Sequence, residues 1–469
     1  MKFAVETRSL KFVAEACAAE IRRGAAETMV QNVGTDSRSA KAGDLFFAIR
    51  GEKFDGHQFI NEVAAKGVAA IVIERKKIPA QLPDCAVLVV DDARIALGKL
   101  AAAYRKDFDL PVVCVAGSNG KTTVKELLAS VLRRKFSTVW SEASFNNDIG
   151  VPLTLLRLEK SHQAAVLEAG TNHPGELAPL VKMIAPQFGV LTNVGREHLE
   201  FFGDVAGVAQ EEGRLAELLP ADGKLFVNGD NEWTEKIVAR TKAQVVRVGL
   251  GKENDWRADK IRLDKNGVTF RAITANEDFC GEYRINLLGR HQVTNALFAA
   301  AVSEELGLGR AEIQRGLAEC QPPKMRLQFW EANGVRVLDD AYNANADSTM
   351  AALETLCDLP LQGRRVAVLG DMGELGAHSE SAHAEVGRRA AEMGVGQLIT
   401  VGKMAGVMAQ AAREAGLNRV IELAEVEAAV PALKSFLKAG DTVLLKASRA
   451  SRLERITQAL RAGENGKKS

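Results

Sequence analysis

Residues 111–126 read PVVCVAGSNGKTTVKE: an apolar run, a glycine-flanked turn carrying lysine and two threonines, then a helical pattern. Val112 to Val115 predict a buried strand, and the turn after it reads as a phosphate-binding loop. Gly117 and Gly120 let the backbone of Gly117-Ser118-Asn119-Gly120 curl so that its N–H groups can face phosphate oxygens. Lys121 neutralises the outer phosphates, and the hydroxyl of Thr122, followed by Thr123, can ligate Mg²⁺ at a helix N-terminus. The full consensus would place glycine at Val115, so the loop is a shortened variant. An ordinary Gly-rich strand-to-helix turn is the alternative; lysine and two threonines in register favour a bound nucleoside triphosphate.

Around this loop the chain has 469 residues, enough for roughly three domains of about 150 residues each. Basic and acidic residues balance at 61 and 60, so no whole-chain field draws the protein to nucleic acid or anionic membrane. Cys17, Cys85, Cys114, Cys280, Cys320 and Cys357 are scattered with no CxxC pair, which argues against a disulfide framework and a zinc site. The start, MKFAVETRSLKFVAEACAAE, is too charged for a signal peptide, and no apolar run approaches the ~20 residues that span a bilayer. A cytoplasmic protein is expected, with monomer as the default state.

The last third alternates strand-like runs (RVLDDAYN, RRVAVLGDM, QLITVG, TVLLKAS) with helical patterns, which implies a doubly wound, Rossmann-like parallel sheet with ligands at its carboxyl edge. VVCVAG, AAVLEAG and FGVLTNVG give the middle third the same logic, an ATPase-like parallel sheet, while 255–286 reads as added hairpin strands around Asn266-Gly267. The first hundred residues form a small α/β unit with the short strands DLFFAIRG, AAIVIE and AVLVVDD. An α/β protein of three domains is expected, over 1–107, 108–320 and 321–469, with KDFDLP and Gln321-Pro322-Pro323 at the boundaries and only the terminal GENGKKS disordered.

Three further clusters carry chemistry. Glu168 and His198 lie just past buried strands, where a carboxylate can hold Mg²⁺ and an imidazole can join a second metal or serve the fold. Asn146, Asn147 and Asp148 precede an apolar helix, as a plain turn or as a reader of a polar substrate. In the last third, Lys324-Met325-Arg326, Asp339 to Asn345, Gly370 to Glu374 and Lys446 to Arg449 place polar groups at successive strand ends, an edge expected to face the nucleotide.

Together GSNGKTTVKE, NNDIGVPLTLL, LGRHQVTNAL, DDAYNANADSTM and VLGDMGELG resemble the Mur ligase family over about Thr35 to Arg455. Asn-Asp-Ile-Gly and Tyr-Asn-Ala-Asn favour its branch that joins D-alanyl-D-alanine to UDP-N-acetylmuramoyl-tripeptide in peptidoglycan synthesis. The resemblance implies an ATP-dependent ligase that forms an acyl phosphate, which an amine then attacks, with no protein nucleophile. It assigns Thr122 and Glu168 to the first Mg²⁺ and His198 to a second. Asn295, Arg326, Asp340 and Asn343 go to the nucleotide, and Lys446, Ser448 and Arg449 to the amino substrate or phosphates. Thr35-Asp36-Ser37-Arg38 and GEKFDGH at 51–57 are similar to the family's uridine-nucleotide-binding N-terminal domain.

Two departures stand out. Ala116 replaces a usual threonine, with little effect expected because backbone N–H groups cradle the phosphates. Relatives carry a carbamylated, metal-binding lysine where this chain has Glu212 in Glu211-Glu212-Gly213-Arg214. The expectation is that the Glu212 carboxylate does the carbamate's work; a solvated helix face is the alternative. Within the enzyme class the rival is a sibling ligase or a folylpolyglutamate synthetase-like ligase adding a single amino acid. A nucleotide-dependent switch would need a guanine-reading NKxD motif, which the sequence lacks.

Overall fold

The computed structural model describes residues 6–51, 54–360 and 362–465. Glu52 and Lys53, within the GEKFDGH segment, lie outside the described residues, as do residues 466–469. The last helix, Glu454–Asn465, runs into the stretch expected to be unstructured.

Three large sheets organise the described residues, beside a small antiparallel pair of Arg8–Ser9 with Met29–Val30. The first has five strands in the order 20–23, 86–90, 70–74, 45–47 and 33–34, parallel except for the antiparallel edge strand 20–23. The second has nine strands. Val112–Ala116 lies deep in its parallel part, flanked by Ala164–Glu168 and Phe188–Leu191. Its far end is antiparallel: Trp256–Asp264 turns at Asn266-Gly267 into Gly267–Thr274, which pairs with Gly281–Ile285. The expected hairpin is therefore an extension of the central sheet. The third sheet runs 328–332, 335–340, 442–446, 365–370, 397–401 and 420–423, parallel except for the antiparallel edge strand 328–332.

Sequence composition explains the central strands. All five residues of Val112–Ala116 are buried, as are all five of Ala164–Glu168, because helices cover both faces of a parallel sheet. Near-continuous apolar runs follow from that burial, and the polar residue at the end of each run emerges at the carboxyl edge. Glu168 is the last residue of its strand, and the phosphate loop begins one residue past Ala116.

The units are not beads on a string. The helix Ala93–Arg105 lays Leu97, Leu100, Ala101 and Tyr104 into one apolar cluster with Leu155, Leu177 and Leu180 of the central unit. Tyr104 donates its hydroxyl to Leu158 O at 2.7 Å, and buried Arg105 donates to Phe108 O at 2.6 Å and Ile184 O at 3.1 Å. The KDFDLP segment is thus pinned where the helix ends. On the other side, Val194 and Leu199 share a cluster with Ala344, Leu353, Met372 and Leu375. Among the described residues no helix is long and apolar enough to cross a membrane.

Because Leu100 is buried at the joint between the first two units, Leu100→Ala should cost about 2–5 kcal/mol. Urea unfolding followed by tryptophan fluorescence should show the midpoint fall without loss of secondary structure in the native state.

Candidate active site

Gly117 follows the central strand with φ +112°, a region that L side chains avoid. A Cβ there would lie 2.4 Å from Thr192 Oγ1 and 2.8 Å from Asn193 O, so only glycine fits. Gly120, at φ +91°, opens the helix Lys121–Leu132. Not every loop N–H faces outward as the sequence suggested. Gly117 N donates to Glu212 Oε2 at 2.7 Å, Ser118 N to Asn193 O at 2.9 Å, and Asn119 N to Asn193 Oδ1 at 2.8 Å. These bonds fix the loop's curl, while the first-turn N–H groups of the helix have no intrahelical acceptor and form the anion-facing end.

Lys121 Nζ donates to Gly117 O, to Ser118 O at 3.2 Å and to Glu197 Oε2 at 3.4 Å. Burial alone would lower its ammonium, but Glu197, Glu212 and Glu168 outweigh that and hold it above the ordinary lysine value. Thr122 Oγ1 donates to Glu168 Oε1 at 3.2 Å, and Asn146 Nδ2 to the same oxygen at 2.9 Å. Glu168 Oε2 is buried without a partner.

These groups line a cavity of about 1030 Å³ that reaches all three units. Its walls include Arg94 and Lys99 of the first unit, the loop with Glu168, Glu197 and His198, and Arg326 and Tyr342–Asn345 of the last. The last unit closes over the loop through direct bonds. Asn345 Nδ2 donates to Asn119 Oδ1 at 3.0 Å, and Tyr342 Oη to Ser144 Oγ at 2.8 Å, while the Arg326 guanidinium stacks on Tyr342 at 4.3 Å. Arg196 grips Asp347 through Nε at 2.8 Å and Nη2 at 2.6 Å, and Glu385 through Nη1 at 2.5 Å. His198 has φ +50° and places Nδ1 2.6 Å from Glu374 Oε2, a contact that holds the Glu374 carboxyl below its usual value.

Several residues stand differently from expectation. Glu212 is neither on a solvated face nor on the cavity wall. It is fully buried, one oxygen braces Gly117 N, and the other is enclosed without a partner. Burial pushes its carboxyl well above the carboxylate range, against the pull of Lys121. Asn295 packs beneath Gly120 and donates to Gln292 Oε1 at 2.8 Å, away from the cavity lining. Lys446 is committed to Asp340 at 2.7 Å and Asn343 O at 2.9 Å, a buried pair behind the wall. Ser448 and Arg449 do not line the cavity either.

Of the asparagine triplet, Asn146 faces Glu168. Asn147 Oδ1 accepts from Ile149 N at 3.2 Å and Gly150 N at 2.9 Å, and Asp148 pairs with Arg94 at 3.0 Å. Thr35–Arg38 forms an exposed turn apart from the cavity, in which Asp36 Oδ2 takes Arg38 Nη2 at 2.7 Å and Ser37 O takes Lys66 Nζ at 2.8 Å. Neither Glu197, although it directly precedes His198, nor the Arg196–Asp347–Glu385 cluster stands out in the sequence.

A hard cation fits part of this site. Glu168 Oε2 is a buried carboxylate oxygen in need of a partner, and Thr122 supplies a hydroxyl to the same group. Among the described residues no three His, Cys, Asp or Glu side chains are grouped to hold a metal alone. That suits Mg²⁺, which takes one or two carboxylates and completes its shell with phosphate and water.

Comparison with known proteins gives a consistent result. Residues 29–105 match the model of the Mur ligase family catalytic domain, 115–303 that of the Mur ligase middle domain, and 325–449 that of the Mur ligase glutamate ligase domain. The UDP-N-acetylmuramoyl-tripeptide–D-alanyl-D-alanine ligase of Escherichia coli is 37% identical over 449 residues, covering 94% of this chain and 95% of its own length. The Bacillus subtilis enzyme of the same name is 33% identical over 92% of this chain and 94% of its own. A crystal structure of MurF from Acinetobacter baumannii superposes with a TM-score of 0.89 at 31% identity, covering 98% of this chain and 100% of that one. MurF from Thermotoga maritima, solved in complex with ADP, gives 0.80 at 27% identity, covering 93% and 98%.

Since a side chain at Gly117 meets Thr192 and the Asn193 backbone, Gly117→Ala should weaken nucleotide binding at least about tenfold while the native fold persists. Calorimetric titration with an ATP analogue measures this; unchanged affinity would mean that the loop tolerates a different curl.

Proposed function

The chain belongs to the Mur ligase family, and from that premise we propose that it joins D-alanyl-D-alanine to UDP-N-acetylmuramoyl-tripeptide, an ATP-dependent amide ligation of peptidoglycan precursor synthesis. The observation that carries this reading is a single cavity that runs from the phosphate loop to walls supplied by the first and last units. Such a cavity suits a reaction in which a triphosphate, a carboxylate and an amine must meet.

ATP binds with its phosphates at the loop and the first turn of the helix Lys121–Leu132, where Lys121 balances charge as the γ-phosphoryl moves to the acceptor carboxylate. The acyl phosphate so formed is attacked by the amine of D-alanyl-D-alanine, and phosphate leaves. Thr122 and Glu168 would hold Mg²⁺, which would supply positive charge against the repulsion between the triphosphate and the carboxylate. Asn146 orients Glu168 through its 2.9 Å bond, and Arg326 and Asn343 face the nucleotide from the last unit. Asp340 and Lys446 act as a buried brace behind Asn343, and Asn295 supports Gly120. Thr35 to Arg38 belong to the uridine-nucleotide end. The enzyme is assigned to the cytoplasm as a monomer, with units divided after Asp107 and Cys320.

Closure of the last unit over the loop excludes water from the acyl phosphate, which would otherwise hydrolyse. The Arg196 grip on Asp347 and Glu385 and the Asn345–Asn119 bond tie that closure to the loop itself.

An amide-ligation assay that varies both the UDP-linked acceptor and the amine tests this function. Phosphate release should remain low until UDP-muramoyl-tripeptide and D-alanyl-D-alanine are both present, and Lys121→Ala should lower kcat at least about 100-fold. Strong release with ATP alone, or ligation of a single amino acid in preference to the dipeptide, would sink the assignment.

A further inference from the structure

Three carboxylates surround Lys121, and only one of the two beyond Glu168 opens on the cavity. Glu197 lines it, with a side chain 8% exposed, whereas Glu212 is sealed behind the loop. Glu197 Oε2 is 3.4 Å from Lys121 Nζ and 3.8 Å from His198 Nε2, and its Oε1 is buried without a partner. This arrangement is balanced only while Lys121 turns inward. Once Lys121 turns to a triphosphate, Glu197 loses its cation and stands beside a polyanion, a state that burial makes costly. A second cation removes that conflict.

The imidazole beside it is already oriented for such a cation. Glu374 Oε2 stands 2.6 Å from His198 Nδ1, which turns the ring so that Nε2 lies on the side of Glu197. The contact is supported from the backbone: Glu200 N donates to Glu374 O at 3.0 Å. Arg196, on the other side of Glu197, donates its own N–H to Asp347 at 2.8 Å. The segment bearing Glu197 and His198 is therefore held at both ends by the last unit.

We propose that Glu197, with Nε2 of His198, holds a divalent cation against the nucleotide phosphates in this chain, while Glu212 positions the loop through Gly117 and does not touch the metal. Glu374 is a positioning residue for His198, which makes this second cation site complete only when the last unit is closed. The inference rests on the nucleotide reading of the same cavity. It does not depend on which amine the enzyme ligates.

The test is Mn²⁺ binding to the full-length protein with β,γ-methylene-ATP, with free Mn²⁺ counted by electron paramagnetic resonance. Two ions should bind per chain. Glu197→Gln should weaken the second relative to the first by about 100-fold or more and Glu374→Gln by about 10-fold, whereas Glu212→Gln, which acts through the loop, should weaken both ions alike. Glu197→Asp, which keeps the charge on a shorter arm, should fall between wild type and Glu197→Gln and carries the test should the glutamine variant fail to fold. Binding of the analogue without metal should be no weaker in Glu197→Gln than in wild type, because a negative charge beside the phosphates has been removed. Wild-type Mn²⁺ stoichiometry and affinity in Glu197→Gln, or selective loss of the second ion with the first retained in Glu212→Gln, would overturn the assignment. A chain that does not bind the analogue at all would overturn the nucleotide reading with it, whereas ligation of a different amine would leave it standing.

Discussion

One part-buried ammonium among three buried carboxylates governs the site. Lys121 is held by Glu197 directly and by the nearby charges of Glu168 and Glu212, and all three carboxylates are less than a tenth exposed. In a low-dielectric pocket such an excess of negative charge is tolerated only with protons, hydrogen bonds or cations. Glu212 takes the first two routes: its carboxyl is shifted upward by burial and accepts the Gly117 N–H. Glu168 takes hydrogen bonds from Thr122 and Asn146 on one oxygen and leaves the other open. Glu197 takes the lysine. Adding a triphosphate to this set would set like charges against one another, and that is the conflict the proposed cations would relieve.

The architecture serves the same constraint. The loop needs a rigid strand on one side and a helix N-terminus on the other, and the buried run Val112–Ala116 and the helix Lys121–Leu132 provide them. The last unit adds what the central sheet lacks. Its Glu374 orients His198, its Asp347 and Glu385 fix Arg196, and its Asn345 reaches Asn119. On the proposed reading, closure and completion of the charge-balancing site are one event, which suits a reactive acyl phosphate that must form only when water is shut out.

Much of this was legible in the chain. The parallel sheets announce themselves as short apolar runs ending in polar residues, and the loop as glycines at positions where a Cβ would strike Thr192 or Asn295. Those signals are local, so a single sequence carries them. Glu197 was not legible, because its meaning comes from Lys121, 76 residues away in sequence. Lys446, Asn295 and Glu212 show the converse. Motif resemblance places them near the chemistry, and the structure sets them off the cavity wall, against residues of the loop and the wall. Glu212 was expected at the metal because a carboxylate can stand in for a carbamate. Its shorter arm ends instead on the loop backbone, and the carboxylate that faces the cavity arises from the neighbouring segment at Glu197.

Where the cations lie decides which carboxylates serve the metal. Anomalous diffraction at the manganese edge, from crystals grown with Mn²⁺ and an ATP analogue, locates them directly. Two peaks are expected, one against Thr122 and Glu168 and one between Glu197 and His198 Nε2, with Lys121 turned from Glu197 toward the phosphates. A single peak with Glu197 still on Lys121, or a second peak against Glu212, would contradict the proposed assignment.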